Sequence, residues 1–188
     1  MRRLALLLAL AACARAAAPA PRLPAADPES VAVWGAALDA EYLDDQTYGR
    51  FEMIVDTLAQ PIPAEDPISL DHLRRWRLPD ELMAALATPE AGAVRIDVPA
   101  VDRATGLRLT AEPSDPRAAA EVRRRHDQQL GAVLVSLSRV VFTHDRRMAM
   151  VEVFVSCGNR CGRGALLVMR RGDDGRWVVA ARPRGSFA

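Results

Sequence analysis

The chain has 188 residues, 25 basic and 24 acidic side chains, a net charge of +1 and a hydrophobic fraction of 50%. So even a balance argues against a general nucleic-acid binder, which needs a basic excess to displace counterions. Every one of the 25 basic residues is arginine, which excludes mechanisms that require a lysine, such as Schiff-base chemistry and phosphate-loop nucleotide binding.

The first elements in chain order form an export address. Arg2 and Arg3 precede an apolar run, Leu4 to Leu10, in the layout of a secretory signal peptide covering residues 1–16. The run is too short to span a bilayer. Leu10-Ala11-Ala12-Cys13 then resembles the lipobox of bacterial lipoproteins, in which the cysteine takes lipid and becomes the mature N-terminus. The competing route is cleavage after Ala14-Arg15-Ala16, which starts the mature chain at Ala17 and discards Cys13. Lipidation at Cys13 would hold the protein stably, because several acyl chains anchor where a single one binds only reversibly. The expected location is therefore the periplasmic side of the bacterial envelope, with the membrane as a partner through the N-terminal lipid. Residues 17–26, rich in Ala and Pro and without an acid, suit a semi-rigid tether. Residues 27–188 are enough for one domain.

Asp27-Pro28 is a helix start, with Asp placed to cap free amides and Pro suited to the first helical position. Val31, Trp34, Leu38 and Tyr42 follow at helical spacing. Phe51, Met53 and Val55 alternate with Glu52, Ile54 and Asp56 as a strand does, and Gln60 to Pro67 reads as a proline-rich loop. Pro79 begins a short helix with Leu82, Met83 and Leu86 on its apolar face, and Val94, Ile96 and Val98 read as an extended piece. Asp115-Pro116 repeats the cap signature; Ala118, Val122, His126 and Leu130 lie four apart until Gly131 offers an end to the helix.

From Ala132 the pattern turns to β: Val133 to Thr143, Met148 to Cys157, Gly164 to Arg171 and Arg176 to Ala181. His144-Asp145-Arg146 and Gly172-Asp173-Asp174-Gly175 fit tight hairpins. The expected fold is α+β: a C-terminal four-stranded antiparallel meander, open to an added strand over 51–57, with helices packed on one face. Charge is uneven along the chain. From Asp27 to Asp115 there are 18 acidic and 7 basic residues; from Arg139 to the end there are 10 arginines and 4 acids. The simplest expectation is that the two halves face each other and compensate, and the alternative is an arginine-rich end that meets anionic lipid or cell-wall polymer.

Either maturation route removes Cys13 from the thiol pool and leaves Cys157 and Cys161, an even count in an oxidising compartment, as expected of a disulfide. Four steps of extended chain span about 13 Å, whereas bridged Cα atoms lie about 4.4 to 6.8 Å apart, so the chain must turn between them. Gly158, Gly162 and Gly164 permit that turn. A redox-active thiol pair and a metal site are the alternatives. The first lacks thioredoxin-like spacing, and the second would need further ligands from His72, His126 and His144. His126 reads as a core-edge histidine, His144 as a turn residue, and Asp56-Thr57 as a cap or turn. Ser136 and Ser138 lack the glycine-flanked elbow of a nucleophile. No catalytic, cofactor or metal-binding residue is assigned, and no cofactor is implied.

Three segments, Val31 to Tyr42, Phe51 to Thr57 and above all Leu137 to Trp177 with its CGNRCGRG loop, resemble a widespread group of uncharacterised bacterial exported proteins. Those typically carry an Ile-x-Asp-x-Thr strand, a Leu-Ser-x-Val-x-Phe strand, a Cys-Gly-x-x-Cys-Gly-x-Gly loop and a Gly-x-Trp hairpin. His126-Asp127-Gln128-Gln129 stands where the group has a Tyr-Pro-Gly turn. The resemblance implies export, the α+β order and the double-cysteine loop, and it carries no activity. The expectation is a non-catalytic envelope module that binds an envelope protein or ligand or plays a structural role; the alternative is an envelope hydrolase or thiol oxidoreductase.

Overall fold

Asp27 caps the first helix as its chemistry demands. In the computed structural model, which describes residues 23–42, 52–63, 67–89, 92–128, 131–158 and 162–187, α1 spans Pro28–Tyr42. The Asp27 carboxylate accepts from the amides of Glu29 and Ser30 at 3.1 and 3.2 Å and from the Ser30 hydroxyl at 2.7 Å. The face of α1 that becomes core carries Val33, Trp34, Ala37 and Leu38, all fully buried. Val31 is only half-buried, so the apolar stripe is rotated from the one that spacing alone marks out.

β1, Glu52–Val55, has Met53, Ile54 and Val55 all buried, with Glu52 exposed. It lies between β4, Leu109–Ala111, and β5, Ala132–Leu137, and runs parallel to both. An inner parallel strand is covered on both faces, which removes the half-polar character that its alternation implies. The added strand thus joins the sheet by a parallel register.

The C-terminal sheet is antiparallel: β5 and β6, Val141–Phe142, both pair with β7, Met148–Ser156; β7 pairs with β8, Gly162–Arg171, and β8 with β9, Trp177–Phe187. The strand order is β4-β1-β5-β7-β8-β9, with β6 alongside β7. The strand expected over Val133 to Thr143 is broken, because Arg139 donates its amide to the Gln60 carbonyl at 2.7 Å. This diverts the chain toward a two-stranded sheet of β2, Leu58–Ala59, and β3, Val94–Arg95.

Helices cover both faces rather than one. Ala149, Val151, Val153 and Val155 of β7 join α1 and the Val98 and Val101 side chains of α4, Val98–Thr105, in one core. Met150, Leu166 and Val168 point the other way, against Leu73 of α2, Pro67–Arg74, and Leu82 and Leu86 of α3, Asp80–Ala87. The cause is legible in β8, where Gly164 to Met169 are buried without interruption. A strand apolar on both faces requires cover on both.

α2 has no counterpart in the sequence reading. α4 takes over at Val98, the last residue of the expected extended piece: the Asp97 side chain accepts from Ala100 N at 3.1 Å, and Gly106, at φ 70°, ends the helix. α5, Pro116–Asp127, is capped by Asp115 as expected. It stops at Gln128 rather than at Gly131. The charge halves do meet: Arg146 and Arg171 pair with Glu29, and Arg163 and Arg182 with the buried Glu41. No described helix is long and apolar enough to cross a membrane.

Candidate functional site

Strand alternation decides which chemistry surrounds the cysteine loop. Val155 and Cys157 face the main core, against which Cys157 packs half-buried, while Ser156 points to the opposite face. Gly158, at φ 115°, turns the chain immediately after Cys157, the conformational freedom that this position was expected to provide. Ser156 and Gly162 are register partners, so the hairpin closes over residues 157–161. Cys161 and Cys13 lie outside the described residues.

On the Ser156 side sits a serine, histidine and aspartate line that sequence reading did not join. His126, at the end of α5 and 7% exposed, has Nε2 2.9 Å from Ser156 Oγ and Nδ1 3.1 Å from Asp127 Oδ1. The amide of Gly158 also donates to Nε2, at 2.9 Å. An imidazole nitrogen that accepts from an amide carries no hydrogen, which assigns the proton to Nδ1. The single lone pair of Nε2 is therefore shared between Gly158 and Ser156. His126 can take the serine proton only by abandoning a buried amide, so the geometry makes a clasp between α5 and the cysteine loop, not an activated nucleophile. Nor does this imidazole reach the thiol side, since Cys157 faces the other way.

The remaining polar candidates are local. Asp56 accepts from the Leu58 amide at 2.9 Å, a turn contact. His144 is exposed on its hairpin, its amide bonded to Glu81. Ser136 is exposed; the buried Ser138 hydroxyl donates to the Arg139 carbonyl and accepts from the Glu152 amide. The side chain of His72 lies outside the description. Among the described residues, no three His, Cys, Asp or Glu side chains converge as a metal site.

A different place has the character of a binding site. A cleft of about 400 Å³ opens where the start of α1, the end of α3, β6 and the β2–β3 pair converge. Ile62, Val94, Val140, Val141 and Phe142 supply apolar lining, and Asp27, Ser30, Arg139 and Arg146 the polar part. Arg146 is held by an unusual local device. Its backbone is left-handed, at φ 52°, a conformation that costs a non-glycine residue about 1 kcal/mol or more. The turn that imposes it is braced by Asp145, whose carboxylate accepts from the Thr143 hydroxyl at 2.7 Å and the Arg147 amide at 3.0 Å. Those bonds, the amide first, hold the Asp145 carboxyl below its usual range.

From this turn the Arg146 guanidinium lies 4.7 Å over the Phe142 ring, and that ring packs against Trp177 with centroids 5.9 Å apart. Its Nη1 meets Glu29 at 2.7 Å and Asp27 at 3.4 Å. The Glu29 bond raises the Arg146 pKa from its ordinary value and keeps the cation charged. Burial pushes Asp27 up, but bonds from the Ser30 hydroxyl and amide, the Arg146 charge and the Glu29 amide outweigh it and leave the carboxyl below its usual range. Arg139 turns Nη1 to the Gly92 carbonyl at 3.2 Å. The cleft thus offers apolar surface and guanidinium groups, with its carboxylate and hydroxyl bonded to each other.

Sequence reading placed Asp27 as a cap and Arg146 in a hairpin, and it missed that the two meet. No family model, curated protein or solved structure matches the chain.

Proposed function

We propose that this chain is an exported, lipid-anchored and non-catalytic module of the bacterial envelope that binds a small ligand in the cleft beside Arg146. The observation that carries the reading is the state of the cleft's polar groups. Asp27 and Ser30 satisfy each other and the neighbouring Glu29 faces Arg146 and Arg171, so both carboxylates described at the cleft are already engaged. A cavity of about 400 Å³, lined about equally by apolar and polar surface and with its polar groups fixed, has the size of a small-molecule site. Such a place binds rather than reacts.

The remaining parts of the reading come from the sequence. Arg2 to Leu10 supplies the signal, Cys13 the lipid and the chain before Leu23 the tether; Pro24 to Ala26, expected as its last part, are instead held by backbone bonds to Arg95. A Cys157–Cys161 disulfide closes the β7–β8 hairpin, supported by the pairing of Ser156 with Gly162 and by the turn at Gly158.

Binding of 1-anilinonaphthalene-8-sulfonate, an amphiphile with an aromatic body, tests the cleft. The expectation is saturable binding at one site, abolished by Ala85→Phe, which places a ring in the cleft, while the unfolding midpoint is retained. Absence of saturable binding, or binding indifferent to Ala85→Phe, would overturn the reading. A hydrolase working through Ser156, His126 and Asp127 is the competing reading: the three are in hydrogen-bond reach, but the Gly158 amide holds the Nε2 lone pair that a base would need. Hydrolysis of p-nitrophenyl esters that disappears in both Ser156→Ala and His126→Gln would establish it in place of the first.

A further inference from the structure

Resting on the cleft proposed above, we infer that its ligand is an anionic amphiphile: an apolar body seated on the cleft's aliphatic lining and one carboxylate or phosphate held by Arg146. The apolar part follows from Val94, Val140, Val141 and Phe142, half-buried side chains that offer a hydrocarbon body surface to cover and nothing to hydrogen-bond. The sign of the head group follows from Arg146. A guanidinium carries five N–H donors, and this one meets both Glu29 and Asp27 through Nη1. Among the described residues Nε and Nη2 have no other protein partner.

The orientation of that cation is already fixed. The Phe142 ring beneath it, the two carboxylates on one side and the left-handed backbone braced by Asp145 leave the fork little freedom to lose on binding. Two parallel N–H groups in such a fork match a carboxylate or phosphate. A cationic head would find Asp27 and Glu29 already engaged by Ser30, Arg146 and Arg171. Arg139 adds a second positive charge to the same wall.

The position of the cleft fits that chemistry. Ala25 and Ala26 line it, and the chain just before them is fixed by the Arg95 amide donating to the Pro24 carbonyl at 2.9 Å. From Cys13 to Leu23 is a tether of ten residues, about 30 Å when extended as a proline-rich spacer. A lipid on Cys13 would therefore hold the cleft within that distance of a bilayer, where amphiphiles are concentrated.

Calorimetric titration of the mature chain from Ala17 tests this, since every described element begins at Leu23 or later. The probes are decanoate, decanol and decyltrimethylammonium, one body with three heads. Decanoate is expected to bind at least tenfold more tightly than decanol, and decyltrimethylammonium most weakly. Arg146→Gln should bring the ratio of decanoate to decanol affinity close to one, and added salt should narrow the same gap in the unaltered protein. Dihexanoyl-phosphatidylglycerol then separates the sources: displacement of decanoate marks a phospholipid ligand, and failure to displace it marks a free carboxylate. Equal affinity for decanoate and decanol in the unaltered protein overturns this inference and leaves the cleft as a binding site. Silence of all three probes together with 1-anilinonaphthalene-8-sulfonate overturns both.

Discussion

Replacing His126 by alanine separates a clasp from a catalytic base. The buried Gly158 amide loses its acceptor, His126 Nε2 at 2.9 Å, and an orphaned buried donor costs about 1 to 3 kcal/mol. Ser156 is half-buried, so its hydroxyl turns to water at little further cost. The loss should be about 2 kcal/mol, which for a domain of this size lowers the melting temperature by about 4 to 8 °C. Urea denaturation gives the free energy, and amide exchange at Gly158 gives the place, because the released loop should open before the rest of β7 and β8. His126→Gln, whose side-chain carbonyl offers a new acceptor, should recover part of the loss. A His126→Ala protein of unchanged stability, with Gly158 still slow to exchange, would refute the clasp.

Other perturbations read other joints of the same account. Trp34→Phe removes the indole N–H that donates to the buried Ser138 carbonyl at 2.9 Å and leaves a smaller ring; a loss of about 2 kcal/mol is expected in chemical denaturation. Asp27 has its carboxyl held below the ordinary range in the folded chain. Its contribution is therefore present at neutral pH and is lost as pH falls through the acid range. The stability gap between wild type and Asp27→Asn should shrink from about pH 7 to about pH 3; a constant gap would contradict that sign. Reduction of the proposed Cys157–Cys161 bond should lower stability by about 2 kcal/mol on the loop-entropy model, measured as the shift in urea midpoint with and without reductant, and Cys157→Ser should abolish the shift.

Legibility in the sequence followed the range of the forces involved. Asp27-Pro28 and Asp115-Pro116 announced α1 and α5 because a capping carboxylate reaches only two or three residues along the chain. The hairpin at Gly172 to Gly175 was equally local, closed by the Gly175 amide on the Gly172 carbonyl at 2.9 Å. α4 was hidden because Val98-Pro99 follows Val94 and Ile96, and proline after an apolar alternation reads as an end rather than as a first helical turn. The break at Ser138 to Val140 was invisible for another reason: its cause, Gln60, is far away in the chain. So was the cleft. Its Asp27 and Arg146 are 119 residues apart, and nothing local in His144-Asp145-Arg146 states that the third residue is left-handed or that it will lie over Phe142.

Amide and arginine Nε chemical-shift mapping during a decanoate titration tests most directly whether this cleft is where the protein binds. The largest shifts should fall on Ala85, Val94, Val140 to Phe142 and the Arg146 Nε, with the decanoate itself unaltered at the end. Shifts centred on His126, Ser156 and Gly158, or a chemically changed probe, would contradict a non-catalytic module that binds beside Arg146.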